Sequence, residues 1–442
     1  MSRYQPYPAY RDSGVEWIGK VPEHWDIARI KRFSSLRTER CTDAPEGCRY
    51  IGLEDVESGS GQYRPTEGNS RQNDDSTVGV FNPGDVLYGK LRPYLRKAIV
   101  SDSHGICSTE FLVMQPASII APWLQQWLLT DEVTQQIEAG CEGSKMPRAD
   151  WEHVGSIHVP SPSISEQTAI ISVLDREIAG IDALITKKTR FIELLKEKRS
   201  ALITHAVTKG IDPTVKMKDS GVDWVGKVPE HWLIRPIKGI VSTPITDGPH
   251  ETPQFYDHGV PFVSAEGISG GFLNFEKIRG YISRESHEVY SKKYKPQKND
   301  IFMIKSGATT GVTAIVDTDI EFNIWSPLAV IRCNDTMDSY FVLNYMRSHS
   351  FQEGVSQNWS FGTQQNIGMG VIGDLYVTVP PLAEQRSIAT YVKNSTARID
   401  LLAKKTQRSI DLLKERRSAF ISAAVTGHID LRNQSEYLAT QI

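Results

Sequence analysis

The fold of this chain is decided by a stretch that it contains twice. Residues 166–208 read EQTAIISVLDREIAGIDALITKKTRFIELLKEKRSALITHAVT, and residues 384–426 read EQRSIATYVKNSTARIDLLAKKTQRSIDLLKERRSAFISAAVT, at a constant offset of 218. Both copies consist mainly of good helix formers and lack proline, with Gly180 as their one glycine. Ser163 and Glu166 have capping-box spacing, and Gly210 and Gly427 suit C-caps. The repeat therefore predicts two helices, each roughly 60 Å long.

The apolar residues of both copies recur at alternating spacings of three and four residues, the pattern of a coiled coil. A helix with such a stripe needs a partner, and the other copy is the natural one. The alternative is that each helix packs on its own domain. The residues expected at the helix–helix contact are Ile171, Leu174, Ile178, Ile181, Ile185, Ile192, Leu195, Ile399, Ile410 and Leu413.

A second repeat marks the domain layout. Residues 12–25 read DSGVEWIGKVPEHW, and residues 219–232 read DSGVDWVGKVPEHW. The segments between the repeats diverge but keep a common order, with Val159-Pro160 matched by Val379-Pro380 and the segment 84–87 by 299–302. We expect scaffold repeats at residues 1–25 and 211–232, divergent domains at 26–160 and 233–379, long helices at 161–210 and 380–430, and a tail at 431–442.

The two divergent domains are predicted to be mixed α/β. Short apolar runs bounded by Gly, Pro and Asn predict strands, and each domain also holds a helical stretch. The predicted strands are Tyr50–Leu53, Val86–Tyr88, Phe111–Met114, Phe262–Val263, Ile301–Ile304 and Leu328–Ile331, and the predicted helices are Pro122–Ile137 and Ser339–Arg347.

Composition excludes several classes of protein. The chain has 442 residues with 50 basic and 53 acidic side chains, so bulk positive charge cannot coat nucleic acid, although a local basic groove is compatible. No run of eighteen apolar residues predicts a membrane helix, and the first residues do not resemble a secretory signal. Five scattered cysteines predict reduced thiols in a cytoplasmic protein.

Motifs for catalysis are missing from the sequence. It contains neither a P-loop nor an amino-methyltransferase signature nor a convincing metal cluster. Asp85 with Lys90 faintly resembles a nuclease site but lacks a Glu-x-Lys partner. His24 and His231, in the two Pro-Glu-His-Trp turns, are interpreted as packing or capping residues.

Basic and polar loops in each divergent domain are candidate DNA contacts. Arginine and lysine read guanine, whereas glutamine and asparagine read adenine. A solvated face or a simple polar turn is the alternative for each loop. The basic stretch Lys277–Lys298 has the same two interpretations. The candidate residues are Lys90, Arg92, Arg96, Lys97, Lys145 and Arg148 in the first domain, and Lys305, Thr309, Thr310, Gln364, Gln365 and Asn366 in the second.

With these motifs in this order, the sequence resembles the specificity subunits of bacterial type I restriction-modification enzymes. The resemblance covers essentially the whole chain and is carried by the two DSGVEWIGKVPEHW-type blocks. It also rests on PGDVLYGKLRPYLRK, KNDIFMIKSGATTG and the VPPLAEQRSIA opening of a long helix. The segment 161–165 departs from the Pro-Leu-Ala-type opening, which leaves the start of the first helix open.

The resemblance implies a division of labour. Two target-recognition domains each read half of a split site in double-stranded DNA, and two antiparallel helices form a coiled-coil spacer. Two modification subunits bind the scaffold with S-adenosylmethionine, and two restriction subunits using ATP and Mg can join. The chain itself is then expected to be non-catalytic and to bind no cofactor. A coiled-coil adaptor that joins only proteins remains the competing interpretation.

Overall fold

The computed structural model describes residues 4–42, 47–65, 77–141, 143, 145–361 and 365–432. From the first scaffold repeat to the end of the first long helix, the strands are β1 (Tyr10–Asp12), β2 (Lys20–Pro22), β3 (Asp26–Arg29), β4 (Ser34–Leu36), β5 (Arg40–Cys41), β6 (Tyr50–Ile51), β7 (Val78–Phe81), β8 (Val86–Gly89), β9 (Ala98–Val100), β10 (Gly105–Cys107), β11 (Phe111–Pro116) and β12 (His158–Ser161). The helices there are α1 (Ile30–Phe33), α2 (Ala121–Leu128), α3 (Asp131–Ala139), α4 (Trp151–Ser156) and α5 (Ile164–Lys209).

The remaining strands are β13 (Met217–Asp219), β14 (Lys227–Pro229), β15 (Leu233–Pro236), β16 (Thr246–Asp247), β17 (Val260–Val263), β18 (Gly280–Ile282), β19 (Ile301–Ile304), β20 (Thr313–Ile315), β21 (Asn323–Ile324), β22 (Leu328–Ile331), β23 (Ser360–Phe361), β24 (Gln365–Asn366) and β25 (Tyr376–Val379). The remaining helices are α6 (Arg284–Ser291), α7 (Ser339–Met346), α8 (His349–Asn358), α9 (Met369–Asp374) and α10 (Leu382–Val425). The mixed α/β fold with two long helices is thus as predicted.

The chain divides into two compact units, and each unit contains half of each long helix. The first unit comprises residues 1–188 and 408–442, and the second comprises residues 189–407. Inside the first unit, the beginning of α5 and the end of α10 share one apolar core. Inside the second, the end of α5 and the beginning of α10 share another. Because the start of one helix meets the end of the other, α5 and α10 run antiparallel within each unit.

Each unit contains an ion pair between α5 and α10 that is formed by equivalent residues of the internal duplication. Arg417 Nε donates to Asp182 Oδ1 at 3.0 Å in the first unit, and Arg199 Nε donates to Asp400 Oδ1 at 3.0 Å in the second. Asp182 and Asp400, like Arg199 and Arg417, occupy equivalent positions of the two copies. Arg417 is buried and also donates to the carbonyl of Ser60 at 3.1 Å, whereas the Arg199 pair is more exposed.

The predicted helix–helix residues differ in burial. Ile171, Leu174, Ile178, Ile181, Leu195 and Ile410 are buried. Ile185, Ile192, Ile399 and Leu413 are half-buried.

At the start of each long helix, a glutamate contacts one of the two Pro-Glu-His-Trp turns. We call each glutamate, together with the side chains that contact it, a helix-start cluster. Glu166 accepts hydrogen bonds from the hydroxyl of Tyr7 at 2.9 Å and the indole of Trp25 at 3.1 Å, and its other oxygen lies 2.9 Å from His24 Nε2. The expected capping box is therefore only half formed. The Ser163 hydroxyl accepts from the Glu166 amide at 3.3 Å, but the Glu166 carboxylate is used elsewhere.

The second helix-start cluster has the same design. The indole of Trp232 donates to Glu384 at 3.1 Å, and His231 Nε2 lies 2.8 Å from the other carboxylate oxygen. His24 and His231 thus pack at helix starts, as the sequence indicated. At the far ends, Gly210 and Gly427 have left-handed backbones, with φ of 79° and 77°, as C-caps require.

Each divergent domain contains a four-stranded sheet of equivalent order. The sheet is β4-β11-β8-β9 in the first domain and β16-β22-β19-β20 in the second. Short ribbons, β3 with β12 and β15 with β25, close each domain next to its long helix. Gly84 and Asn299 precede the matching strands β8 and β19 and both have positive φ, which glycine and asparagine tolerate best.

One predicted helix is wrong. Pro122–Ile137 was expected to be continuous, but it is two helices, α2 and α3, separated at Thr130. The Thr130 hydroxyl accepts from the Val133 amide at 3.4 Å and so starts a new helix. Of the described residues, no helix has the length and apolar character to cross a membrane.

Candidate nucleic-acid interface

The two candidate loops of the first domain lie side by side. Backbone hydrogen bonds fix this arrangement. The Lys90 amide donates to the carbonyl of Glu110 at 2.9 Å, the Arg92 amide to the carbonyl of Pro147 at 2.8 Å, and the Ala149 amide to the carbonyl of Lys90 at 2.9 Å. Lys90 follows the carboxyl end of β8, and Glu110 precedes the antiparallel β11, so both loops belong to the same end of the sheet. We call residues 90–96 and 145–148 the loop end of the first domain.

Two arginines at this loop end have unusual backbones. Arg92 and Arg96 flank a short turn and have left-handed φ values of 52° and 48°. Such conformations are costly for a residue with a Cβ and tend to occur at functional positions.

Half of the predicted first-domain side chains are engaged inside the protein. Arg96 pairs with Asp131, Lys97 donates to the carbonyl of Leu53 at 2.6 Å, and Arg148 donates to Glu110 at 2.9 Å. Lys90, Arg92 and Lys145 have no side-chain hydrogen bond or ion pair with any described residue. Arg92 and Lys145 are exposed and Lys90 is half-buried. These three cations are therefore the ones best placed to meet an external anion.

The two candidate loops of the second domain also lie together. The Gly307 amide donates to the backbone carbonyl of Gln365 at 3.0 Å, and the Ile367 amide donates to the backbone carbonyl of Lys305 at 2.9 Å. Lys305 follows β19 as Lys90 follows β8, and the isolated bridge between Ser306 and Asn366 matches that between Leu91 and Arg148. We call residues 305–310 and 365–366 the loop end of the second domain.

The side chains of this second loop end are mainly neutral. Thr309 and Asn366 are exposed, Gln365 is half-buried, and Thr310 is buried with its hydroxyl donating to Gly307 at 2.7 Å. Gln364 lies outside the described residues. The two loop ends thus occupy equivalent positions but present different chemistry, arginine and lysine in the first and, apart from Lys305, threonine, glutamine and asparagine in the second.

Lys305 is held by a buried carboxylate that the sequence analysis missed. Its ammonium lies 3.0 Å from Asp247 Oδ2, and Lys293 Nζ donates to Asp247 Oδ1 at 2.7 Å. Burial alone raises the pKa of Asp247, but hydrogen bonds from Lys293 and Lys305 outweigh it and lower that pKa below its usual value. Lys305 is therefore less available to an external anion than Lys90.

The basic stretch Lys277–Lys298 is largely neutralised within the second domain. Arg284 and Lys295 pair with Glu321 at 2.7 and 2.8 Å, and their hydrogen bonds lower the pKa of Glu321 to about 2. Lys298 lies 3.5 Å from Asp319. Several cations of this stretch thus have acidic partners inside the domain, an arrangement that favours the solvated-face interpretation over DNA contact.

The nuclease-like pair of Asp85 and Lys90 is not brought together. Asp85 is buried and accepts from Arg37 Nε at 2.8 Å. Lys90 lies at the opposite end of β8, about 16 Å along the strand. Within the described ranges, no cluster of three or more His, Cys, Asp or Glu side chains is arranged to hold a metal ion.

The fold and these loops define a class of protein with a duplicated helical scaffold and two α/β domains that differ in loop chemistry. Residues 229–410 match the family model described as the type I restriction modification DNA specificity domain. Over these residues the chain is therefore similar to this family, in agreement with the resemblance found in the sequence.

Relatives extend the similarity along the chain. The MjaVIII type I restriction enzyme specificity subunit of Methanocaldococcus jannaschii is 21% identical over 435 residues, covering 94% of this chain and 95% of the relative. The EcoBI specificity subunit of Escherichia coli is 23% identical over 291 residues, 63% of this chain and 60% of the relative.

Solved structures share the fold. A chain solved for the assembly and conformational transition of the type I R-M system has a TM-score of 0.71 at 19% identity, covering 92% of this chain and 99% of its own length. The HsdS subunit from Thermoanaerobacter tengcongensis has a TM-score of 0.52 at 18% identity, covering 92% and 98%.

Proposed function

We propose that this chain is the DNA-reading specificity subunit of a type I restriction-modification complex. Each divergent domain is a target-recognition domain that contacts one half of a split site in double-stranded DNA through its loop end. The observation that carries the proposal is the pair of equivalent loop ends with different side chains. A duplicated protein that read the same sequence twice would have no reason to keep arginine and lysine at one loop end and glutamine and asparagine at the other.

In this proposal the paired helices α5 and α10 set the distance between the two half-sites. Their antiparallel packing inside both units supports this role, because shared cores and the ion pairs Asp182–Arg417 and Arg199–Asp400 resist sliding of one helix along the other. A rigid spacer makes the gap in the DNA site a property of helix length.

The scaffold also offers equivalent apolar positions for two modification subunits. Leu184 and Leu412 of the first unit are 48% and 49% exposed, and Leu402 and Leu194 of the second unit, their equivalents in the repeat, are 43% and 45% exposed. Exposed leucines at matching places suit docking of two copies of one partner. S-adenosylmethionine, ATP and Mg are then bound by modification and restriction subunits, and the chain itself is non-catalytic.

The unpaired cations of the first loop end give a direct test. Lys90→Ala is expected to weaken binding of all DNA sequences about equally, and to reduce the slope of log affinity against log salt concentration by about 1, as loss of one phosphate contact does. Arg92→Ala is expected to lower affinity by roughly 10-fold or more for DNA that carries the correct first half-site. Gel shifts with the assembled complex at several salt concentrations measure both effects.

Lys20→Ala, which removes a cation of the scaffold strand β2, is the control and should leave binding unchanged. If the wild-type complex bound DNA without salt dependence, or not at all, the protein-joining adaptor would be the better interpretation.

A further inference from the structure

The loop after β16 brings a histidine to the loop end of the second domain. In the sheet, Asp247 pairs with Ala329 of the antiparallel β22, so the carboxyl end of β16 lies beside the amino end of β22. The Ser326 amide donates to the carbonyl of Pro249 at 3.2 Å, and the Lys305 amide donates to Pro327 at 2.8 Å. His250, which follows Pro249, therefore lies at the same end of the sheet as Lys305.

A buried carboxylate orients this histidine. The side chain of Asp247 is 1% exposed, and that of His250 is 71% exposed. His250 Nε2 lies 3.1 Å from Asp247 Oδ2, and the same carboxylate contacts the ammonium groups of Lys293 and Lys305. Two lysines keep the carboxylate ionised and in place, so that its charge attracts the Nε2 edge of the imidazole while the ring remains open to solvent.

The carboxylate also favours one arrangement of the imidazole. Its negative charge, 3.1 Å from Nε2, attracts the ring nitrogen that carries a hydrogen, so a neutral His250 with its hydrogen on Nε2 is the favoured form. Nδ1 is then a bare acceptor. In the major groove the groups that donate to such an acceptor are the exocyclic amines, N6 of adenine and N4 of cytosine.

We propose that His250 determines specificity in the second half-site, with Nδ1 accepting a hydrogen bond from an adenine or cytosine amino group and Asp247 as the positioning residue. This rests on the proposed function of the second domain as a DNA reader. In the first domain the equivalent lysine, Lys90, has no acidic partner among the described residues, so the first loop end shows no counterpart of the Asp247 arrangement there. We therefore expect His250 to affect only the second half of the site.

Methylation of a randomised DNA library tests this proposal, because the library contains the target whatever its sequence. The chain is assembled with its modification subunits and S-adenosylmethionine, and the modified molecules are sequenced. Wild type should give a two-part consensus. His250→Ala should relax one base pair of the second part by about 10-fold in discrimination, the scale of one specific contact, and leave the first part unchanged. His250→Lys, which replaces an acceptor with a donor, should shift that position towards guanine.

Two further variants separate positioning from folding. His258→Ala removes another exposed histidine of the second domain, which precedes β17 at the opposite end from the loops, and should not alter the consensus. Asp247→Asn should relax the same base pair as His250→Ala, with little further change in the double variant, whereas a merely structural role would lower affinity for all sequences.

The outcomes are distinguishable. A wild-type complex without a two-part consensus overturns the proposed function itself. A normal wild-type consensus that His250→Ala leaves intact at every position, or a loss that is equal for all sequences, overturns only the role given to His250.

Discussion

Deleting residues 185–191 from α5 together with residues 403–409 from α10 is expected to shorten the gap between the two DNA half-sites by about 3 base pairs. Seven helical residues span about 10 Å, and B-DNA rises about 3.4 Å per base pair. The two segments are equivalent in the repeat. Removing both takes one heptad from each antiparallel helix, so the contacts on either side, including Asp182–Arg417 and Arg199–Asp400, keep a common register.

The measurement is binding, or methylation by the assembled complex, on DNA in which the gap varies one base pair at a time. Deleting only residues 185–191 is the matched comparison. It shifts one helix by a heptad against the other, so that the two ion pairs can no longer form at the same time, and it should give weak binding or an altered, poorly defined gap. An unchanged gap after the double deletion would mean that α5 and α10 do not set the spacing.

Glu166→Ala should cost about 3–5 kcal/mol of local stability, because it leaves the buried hydroxyl of Tyr7 and indole of Trp25 without their acceptor. Burial and the neighbouring Glu166 carboxylate raise the pKa of Tyr7, so the phenol remains a donor. The expected result is a loss of more than 100-fold in amide hydrogen-exchange protection around the start of α5. Hydrogen exchange suits a chain with two units because it reports each region separately.

Glu384→Ala is the matched variant at the start of α10. Glu384 has contacts to His231 and Trp232, but within the described part of the chain it has no counterpart of the Tyr7 contact, and its side chain is 27% exposed against 7% for Glu166. The expected loss is therefore about 1–2 kcal/mol. Equal losses in the two variants would contradict the idea that burial of the Tyr7 and Trp25 donors decides the stability of the first helix start.

The sequence was most informative where a pattern repeats. The ends of the duplicated stretches, 166–208 and 384–426, lie within two residues of the ends of α5 and α10, since helix formers, a heptad pattern and C-cap glycines all agree. The wider range 380–430 expected for the second helix extends five residues beyond its observed end. Each Pro-Glu-His-Trp turn also proved to contact the glutamate near the start of a long helix in the same unit. Repetition of both elements in one chain was the signal that they belong together.

The side-chain partners of the candidate site were beyond sequence reasoning. Lys305 is paired with Asp247, and Arg148 with Glu110, residues far away along the chain that the sheet brings close. The local charge of a loop does not reveal such pairs, so Lys90 and Lys305 looked alike although only Lys90 is unpaired among the described residues. The spacing Asp247-x-x-His250 was the one local sign of the His250 contact, and by itself it is too common to interpret.

If each domain reads its own half-site on a common scaffold, exchanging one domain for the other should replace one half of the DNA consensus. Residues 30–157, between β3 and β12, would be replaced by residues 237–375, between β15 and β25, so that equivalent ribbons form both junctions. The methylated consensus of the assembled complex is then sequenced. We expect an inverted repeat of the second half-site with the wild-type gap, because the helices that hold the two domains run antiparallel. A consensus that still contained the original first half-site would mean that residues 30–157 do not read it.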